Sequence, residues 1–242
     1  MSNSISVYMQ VYRQKRAVFE ALKSFRTHYT DEPITLISDN GDDFSDLAEK
    51  FGAKYIHSDV RTHAGPELRT SNPTTIEGNY LFLQRIYEHC LSIPTDWVVL
   101  LMSSTRTIRQ IRSFPTTPIA GARTNPFSGE LTEYLIRTFG DKLYAYGCSG
   151  GGIFSRRAFI DAYEGNRNLE NYVEMEPGVA RYHDLAFGLL FLINGFEYSV
   201  WDEVSEIFHE GAPIIRDSAF DHGYKYWYDK DFDPSLLQEA DR

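Results

Sequence analysis

Trp97-Val98-Val99-Leu100-Leu101, followed at once by Met102-Ser103-Ser104, is the stretch that decides the fold. An apolar, β-branched run between Asp96 and a polar cluster reads as a fully buried central strand. In an open parallel sheet, residues just past the carboxyl end of such a strand face the ligand crevice. Met102, Ser103 and Ser104 therefore stand where a bound ligand is expected.

On the N-terminal side of this strand, the pattern alternates. Strands are predicted at 5–11, 34–38 and 54–57, with helices at 15–29, 44–51 and 76–90. Val18, Leu22, Phe25 and Tyr29 form a helical stripe. Gly52 is placed to stop the second helix, and Asp39-Asn40-Gly41 is a turn signal. Residues 58–75 form a long polar connection that includes Arg61, His63 and Arg69. This order predicts an α/β fold with a mostly parallel, doubly wound sheet.

The C-terminal side is less regular. Strands are expected at 119–123, 143–146 and 196–201, and helices at 131–139 and 156–163. A further apolar helix is opened by Asp184 and ends near Asn194-Gly195. The segment 208–232, rich in aromatic, His and Asp residues, is expected to pack over the sheet. With no linker in sight, the 242 residues suit a single domain.

A formal charge of −10 argues against a nucleic-acid surface but leaves room for a small anion held by a local Arg or Lys cluster. Cys90 and Cys148 are too few for a disulfide framework and lack CxxC spacing, so a reduced, cytoplasmic setting is expected. Met1-Ser2-Asn3-Ser4 lacks the features of a signal peptide, and the apolar stretch 185–193 is too short to span a bilayer. HExxH and Walker A patterns are absent from the sequence, which removes support for zinc-peptidase and P-loop readings.

Several pieces occur in a telling order: Ser6-Val7-Tyr8-Met9-Gln10-Val11-Tyr12, Leu36-Ile37-Ser38-Asp39-Asn40, the strand after Asp96, Gly150-Gly151-Gly152-Ile153-Phe154, His183-Asp184 and His222-Gly223-Tyr224-Lys225. In this order the chain resembles nucleotide-sugar-dependent glycosyltransferases of the GT-A fold, of the small type found in large algal viruses and bacteria. The resemblance implies a nucleotide-binding half over about 1–101 and an acceptor-binding half over 102–242. It implies transfer of a sugar from a UDP-, GDP- or TDP-sugar to a glycan or other hydroxyl acceptor.

The resemblance also distributes roles. Gln10, Tyr12 and Arg13 are expected at the base and ribose, with Tyr12 able to stack and Arg13 able to offer its planar fork of donors. Asp39 either accepts hydrogen bonds from ribose hydroxyls or a base N–H, or simply forms an Asx turn. His222 and Lys225 are expected at the diphosphate or a metal, with His209 competing for the histidine's role. Gly150, Gly151 and Gly152 form either an acceptor wall or a tight turn. Asp184 is the expected base in an inverting reaction, removing the acceptor proton; helix capping is its other reading. Glu174 and Glu176 are alternative bases.

The chain departs from the family at one place. Its relatives carry an Asp-x-Asp-like pair that binds Mg²⁺ or Mn²⁺, where Met102, Ser103 and Ser104 stand here. Neutral hydroxyls and a thioether are poor ligands for these hard cations. Three readings stay open: a metal-independent enzyme, a catalytically silent binding module, or a variant disabled at this motif. A nucleotidyltransferase is a more distant alternative.

Overall fold

The computed structural model describes residues 3–62, 76–122, 150–165, 183–206 and 217–223. The expected helix at 131–139 and strand at 143–146 lie outside them, as do Lys225, His209, Glu174 and Glu176.

In chain order the described elements are β1 (Ile5–Val11), α1 (Lys15–His28), β2 (Ile34–Asp39), α2 (Ser45–Lys50), β3 (Lys54–Ser58), α3 (Ile76–Ser92), β4 (Trp97–Leu100), β5 (Thr105–Thr107), β6 (Ile119–Gly121) and β7 (Ile153–Ser155). They are followed by α4 (Arg156–Gly165), α5 (His183–Ile193), β8 (Tyr198–Val200), β9 (Val204–Glu206) and β10 (Phe220–His222). Seven strands form one sheet in the order β3-β2-β1-β4-β7-β6-β8. β7 runs antiparallel to both of its neighbours, and the other pairings are parallel. The fold is therefore α/β with a mostly parallel sheet, and the Trp97 strand lies at its centre.

Alternation along β1 sorts the two faces. Ile5, Val7, Met9 and Val11 join a core with Val18, Leu22 and Phe25 of α1 and Leu47 of α2. Tyr8 points to the other face, into a core with Leu83 and Ile86 of α3, Phe159 of α4 and Phe187 of α5. Burial of both faces explains why β4 reads as an unbroken apolar run.

Local signals set the element ends. Gly52, at φ 59°, stops α2 as expected. Arg26 closes the end of α1, donating to the carbonyls of Tyr29, Glu32 and Phe51. A second sheet, β5-β10-β9, was not foreseen in the sequence. Its strands are three residues each, too short to carry a period-2 pattern. They are placed by long-range packing of Val204 and Phe220 onto the α1 face.

Candidate active site

The strand order reverses at β1. The chain leaves β1 for β2 on one side and later returns to β4 on the other. The carboxyl ends of β1 and β4 thus flank a topological switch point, the usual crevice of an open α/β sheet. Tyr12 and Arg13 follow β1, and Met102-Ser103-Ser104 follow β4. Two non-glycine residues at this edge are left-handed, Gln14 at φ 69° and Asn40 at φ 54°. Such strain tends to collect at functional sites. Gly41 packs its backbone onto the Tyr12 carbonyl, where any Cβ would collide, and the Asp42 N–H donates to that carbonyl at 2.8 Å.

The turn after β2 is held by Ser38 rather than Asp39: Ser38 Oγ donates to the Asp42 carbonyl at 2.8 Å. Asp39 is thereby directed elsewhere. It is buried and pairs with Arg85 of α3 at 2.7 Å. Thr62 donates to both of its oxygens, N–H to Oδ1 and Oγ1 to Oδ2, each at 2.9 Å. Arg85 also donates to Gln10 Oε1, Ser58 Oγ and the Val60 carbonyl. Tyr8, whose phenol is pushed up by burial, donates to the same Gln10 oxygen at 2.9 Å.

Proton positions in this cluster follow by elimination. Arg85 has no acceptor, so Gln10 must turn its oxygen toward it and its amide Nε2 toward Thr62. The Thr62 hydroxyl proton goes to Asp39 Oδ2. His183 Nε2 lies 3.0 Å from the Thr62 hydroxyl oxygen. On its other side, His183 Nδ1 meets Asn79 Oδ1 at 2.7 Å, and its ring stacks on Phe82 at 4.5 Å. One hydroxyl thus ties β1, β2, the segment after β3 and the first residue of α5 together.

Asp184 is the next residue. It lies in the first turn of α5, half-buried, rather than at the residue that caps the helix. The positive end of the helix dipole favours a carboxylate there. The His183–Thr62 bond holds this turn beside the Gln10 and Asp39 cluster.

At the end of β4, Met102, Ser103 and Ser104 form a tight turn. Thr105 N–H donates to the Met102 carbonyl at 2.9 Å, and Thr105 Oγ1 accepts from Met102 N–H at 3.2 Å. Ser104 is buried, and its carbonyl accepts from Gly223 N–H at 2.9 Å. His222 is opposite Thr105 in the β5–β10 pairing and is buried beside Gly150. The structure therefore brings Ser103, Ser104, His222 and Gly150 into one neighbourhood.

Gly150, Gly151 and Gly152 are buried. A side chain at Gly150 would collide with Thr105 Oγ1 and approach His222 Cδ2 to 2.7 Å. Gly151 adopts φ +91°, and a Cβ there would sit 2.8 Å from Phe220 Cβ. Protein atoms fill the space at both positions, so they are glycine for packing and backbone reasons. Close packing against β5 and β10, rather than an open wall for a sugar ring, accounts for them.

Among the described residues, no group of three or more His, Cys, Asp or Glu side chains is arranged to hold a metal. The groups around the β4 turn are the hydroxyls of Ser103, Ser104 and Thr105, a thioether and one imidazole. That set does not match the anionic oxygens that Mg²⁺ and Mn²⁺ take.

Sequence reasoning left Arg85, Thr62 and Asn79 out of the site. Asn79, Arg85 and His89 were visible as polar residues on the buried face of α3. A charged residue in an apolar stripe signals a buried partner.

No protein-family model and no curated protein matches the sequence. Solved structures similar to the chain include two of one glycosyltransferase. One is the glycosyltransferase GlyE of Streptococcus pneumoniae TIGR4, at 16% identity over 84% of this chain and 46% of that chain, with a TM-score of 0.47. The other is the apo form of the same protein, at 14% identity over 91% of this chain and 54% of that chain, with a TM-score of 0.50. The chain thus spans about half the length of these structures. No helix among the described residues is long and apolar enough to cross a membrane. At these identities the likeness is one of architecture, and the chain has a glycosyltransferase-like α/β fold.

Proposed function

We propose that the chain is a GT-A-type glycosyltransferase that moves a sugar from a UDP-, GDP- or TDP-sugar to an acceptor hydroxyl. The observation that carries this reading is the topological switch point between β1 and β4, beside whose strand ends stand two groups: Gln10, Asp39 and Thr62 with the first residue of α5, and Ser104 with His222 and Gly150. Gln10 and Tyr12 meet the base and ribose, and Asp39 fixes the pocket wall through Thr62 and Arg85. Arg13, His222 and Lys225 face the diphosphate. Asp184 takes the proton of the acceptor hydroxyl as its oxygen attacks the anomeric carbon and the nucleoside diphosphate departs. Gly150 lets His222 pack close to the β4 turn, and Gly151 lets Phe220 of the same strand do so; Gly152 continues the segment. The Met102-Ser103-Ser104 turn favours a reaction with weak or altered metal dependence, and no step here is routed through Mn²⁺ or Mg²⁺.

The test is calorimetric titration with UDP, GDP, TDP and CMP, with and without Mn²⁺, followed by assay of nucleoside diphosphate release. Saturable binding of one nucleotide and turnover lost in Asp184→Asn support the reading. Binding without turnover identifies a silent module, the alternative that the missing acidic pair favours. Binding of none removes the nucleotide-sugar reading.

A further inference from the structure

Arg61 lies between two pinned residues. The Val60 carbonyl accepts from Arg85 Nη2 at 2.7 Å, and Val60 N–H donates to Ser58 Oγ at 3.2 Å. Thr62 is bound to Asp39 through both its N–H and its hydroxyl. Held this way, Arg61 projects over Tyr12, its guanidinium carbon 3.9 Å from the ring centroid. That is a close cation–π contact. Arg13 places a second guanidinium 4.8 Å from the same centroid.

The two guanidinium carbons are therefore within about 9 Å of each other, where like charges repel. No carboxylate among the described residues pairs with either. The Arg61 Nε is buried and has no hydrogen-bond partner among the described residues. A buried donor without an acceptor is costly and calls for an explanation. Its absence of a partner is the more notable in a chain with 34 acidic and 24 basic residues.

We propose that Arg61, braced on Tyr12, is a phosphate-binding residue of the crevice, which it closes over the nucleoside diphosphate together with Arg13. An oxyanion at this point satisfies the buried Nε–H, uses the planar donor fork and relieves the repulsion between the two cations. Fixed positive charge then neutralises the leaving diphosphate in a chain whose acidic metal motif is replaced. The nucleoside part of this assignment rests on the proposed glycosyltransferase reading; the anion site does not.

The experiment is calorimetric titration of the wild-type chain, Arg61→Met and Arg61→Lys with inorganic pyrophosphate, with UDP, GDP, TDP and CMP, and with the matching nucleosides. Arg61→Met is expected to weaken pyrophosphate and nucleotide binding about 10- to 100-fold, the loss of one charged hydrogen-bonding group. Nucleoside binding stays unchanged and the melting temperature falls by no more than a few degrees, because the Tyr12 cation–π contact is the one interaction Arg61 makes among the described residues. Arg61→Lys, which keeps the charge but loses the fork, falls between. Wild-type nucleotide binding with no loss in Arg61→Met overturns the anion site and leaves the glycosyltransferase reading standing. Arg61-dependent binding of pyrophosphate without any nucleotide does the reverse. Binding of neither overturns both.

Discussion

Replacing Arg85 with Met tests the buried cluster at the crevice most directly. The Arg85 and Asp39 side chains are 7% and 3% exposed and 2.7 Å apart. Arg85 donates to Asp39, Gln10, Ser58 and the Val60 carbonyl, so its removal strips a buried carboxylate of its counter-charge and leaves three other acceptors short of a donor. Breaking a buried pair from one side costs about 3–5 kcal/mol. In a domain of this size each kcal/mol lowers the melting temperature by about 2–4 °C, so a fall on the order of 10 °C is expected. Thermal and urea unfolding of Arg85→Met, Asp39→Asn and the double variant measure it. Removing the charge of Asp39 as well relieves the uncompensated carboxylate, so the double variant should cost clearly less than the two single variants added together. A loss below about 1 kcal/mol for Arg85→Met, or strict additivity, refutes the claim that a buried charge pair holds this edge together.

Other expectations are independent of that pair. Burial pushes the His89 imidazole down to about 4 while its two nitrogens sit against Ser6 and Thr35 hydroxyls. The unfolded chain therefore takes up this proton near pH 6.5 and the native one does not. Stability is constant above that pH and falls as pH drops toward 4, by about 2 kcal/mol at pH 5. Urea titrations at pH 7.5 and 5 should show this, with a smaller difference in His89→Gln. Gly151→Ala forces a Cβ onto Phe220 at φ +91° and should cost about 2–4 kcal/mol by unfolding; a neutral result means the packing of this glycine on β10 is looser than the geometry implies. Ser104→Asp, alone or with Met102→Glu, should lower stability without metal and gain it with Mn²⁺, read as a rise in melting temperature. No rise means that these positions do not face a cation site.

Much of the fold was written locally. The spacing of Val18, Leu22 and Phe25, the Gly52 stop and the apolar run after Trp97 each depend on a few neighbouring residues, and each found its element. β5, β9 and β10 were hidden because Thr105–Thr107, Val204–Glu206 and Phe220–His222 are defined by partners far away in sequence. The site divides in the same way. Gln10, Asp39, Ser104 and Asp184 were legible from their positions at strand and helix ends. Thr62 was not, because its importance lies in joining Gln10, Asp39 and His183, which are 52, 23 and 121 residues away. The glycines at 150 and 151 were read for a ligand because their packing partners, Thr105, Phe220 and His222, arrive from elsewhere in the chain.

The placement of β1 between β2 and β4 also bears on how the chain is made. Its first edge finds β2 within a few dozen residues, as Val7 meets Ile34. The other edge waits for Trp97 to meet Ile5. At ribosomal rates of about 5–20 residues per second, that edge stays open for roughly 5–20 s while the intervening chain emerges. An uncovered strand flanked by apolar residues is a template for pairing with the wrong chain. A nascent chain stalled before residue 97 should therefore aggregate or engage chaperones, and one extended past residue 101 with room to clear the ribosome should have that edge covered.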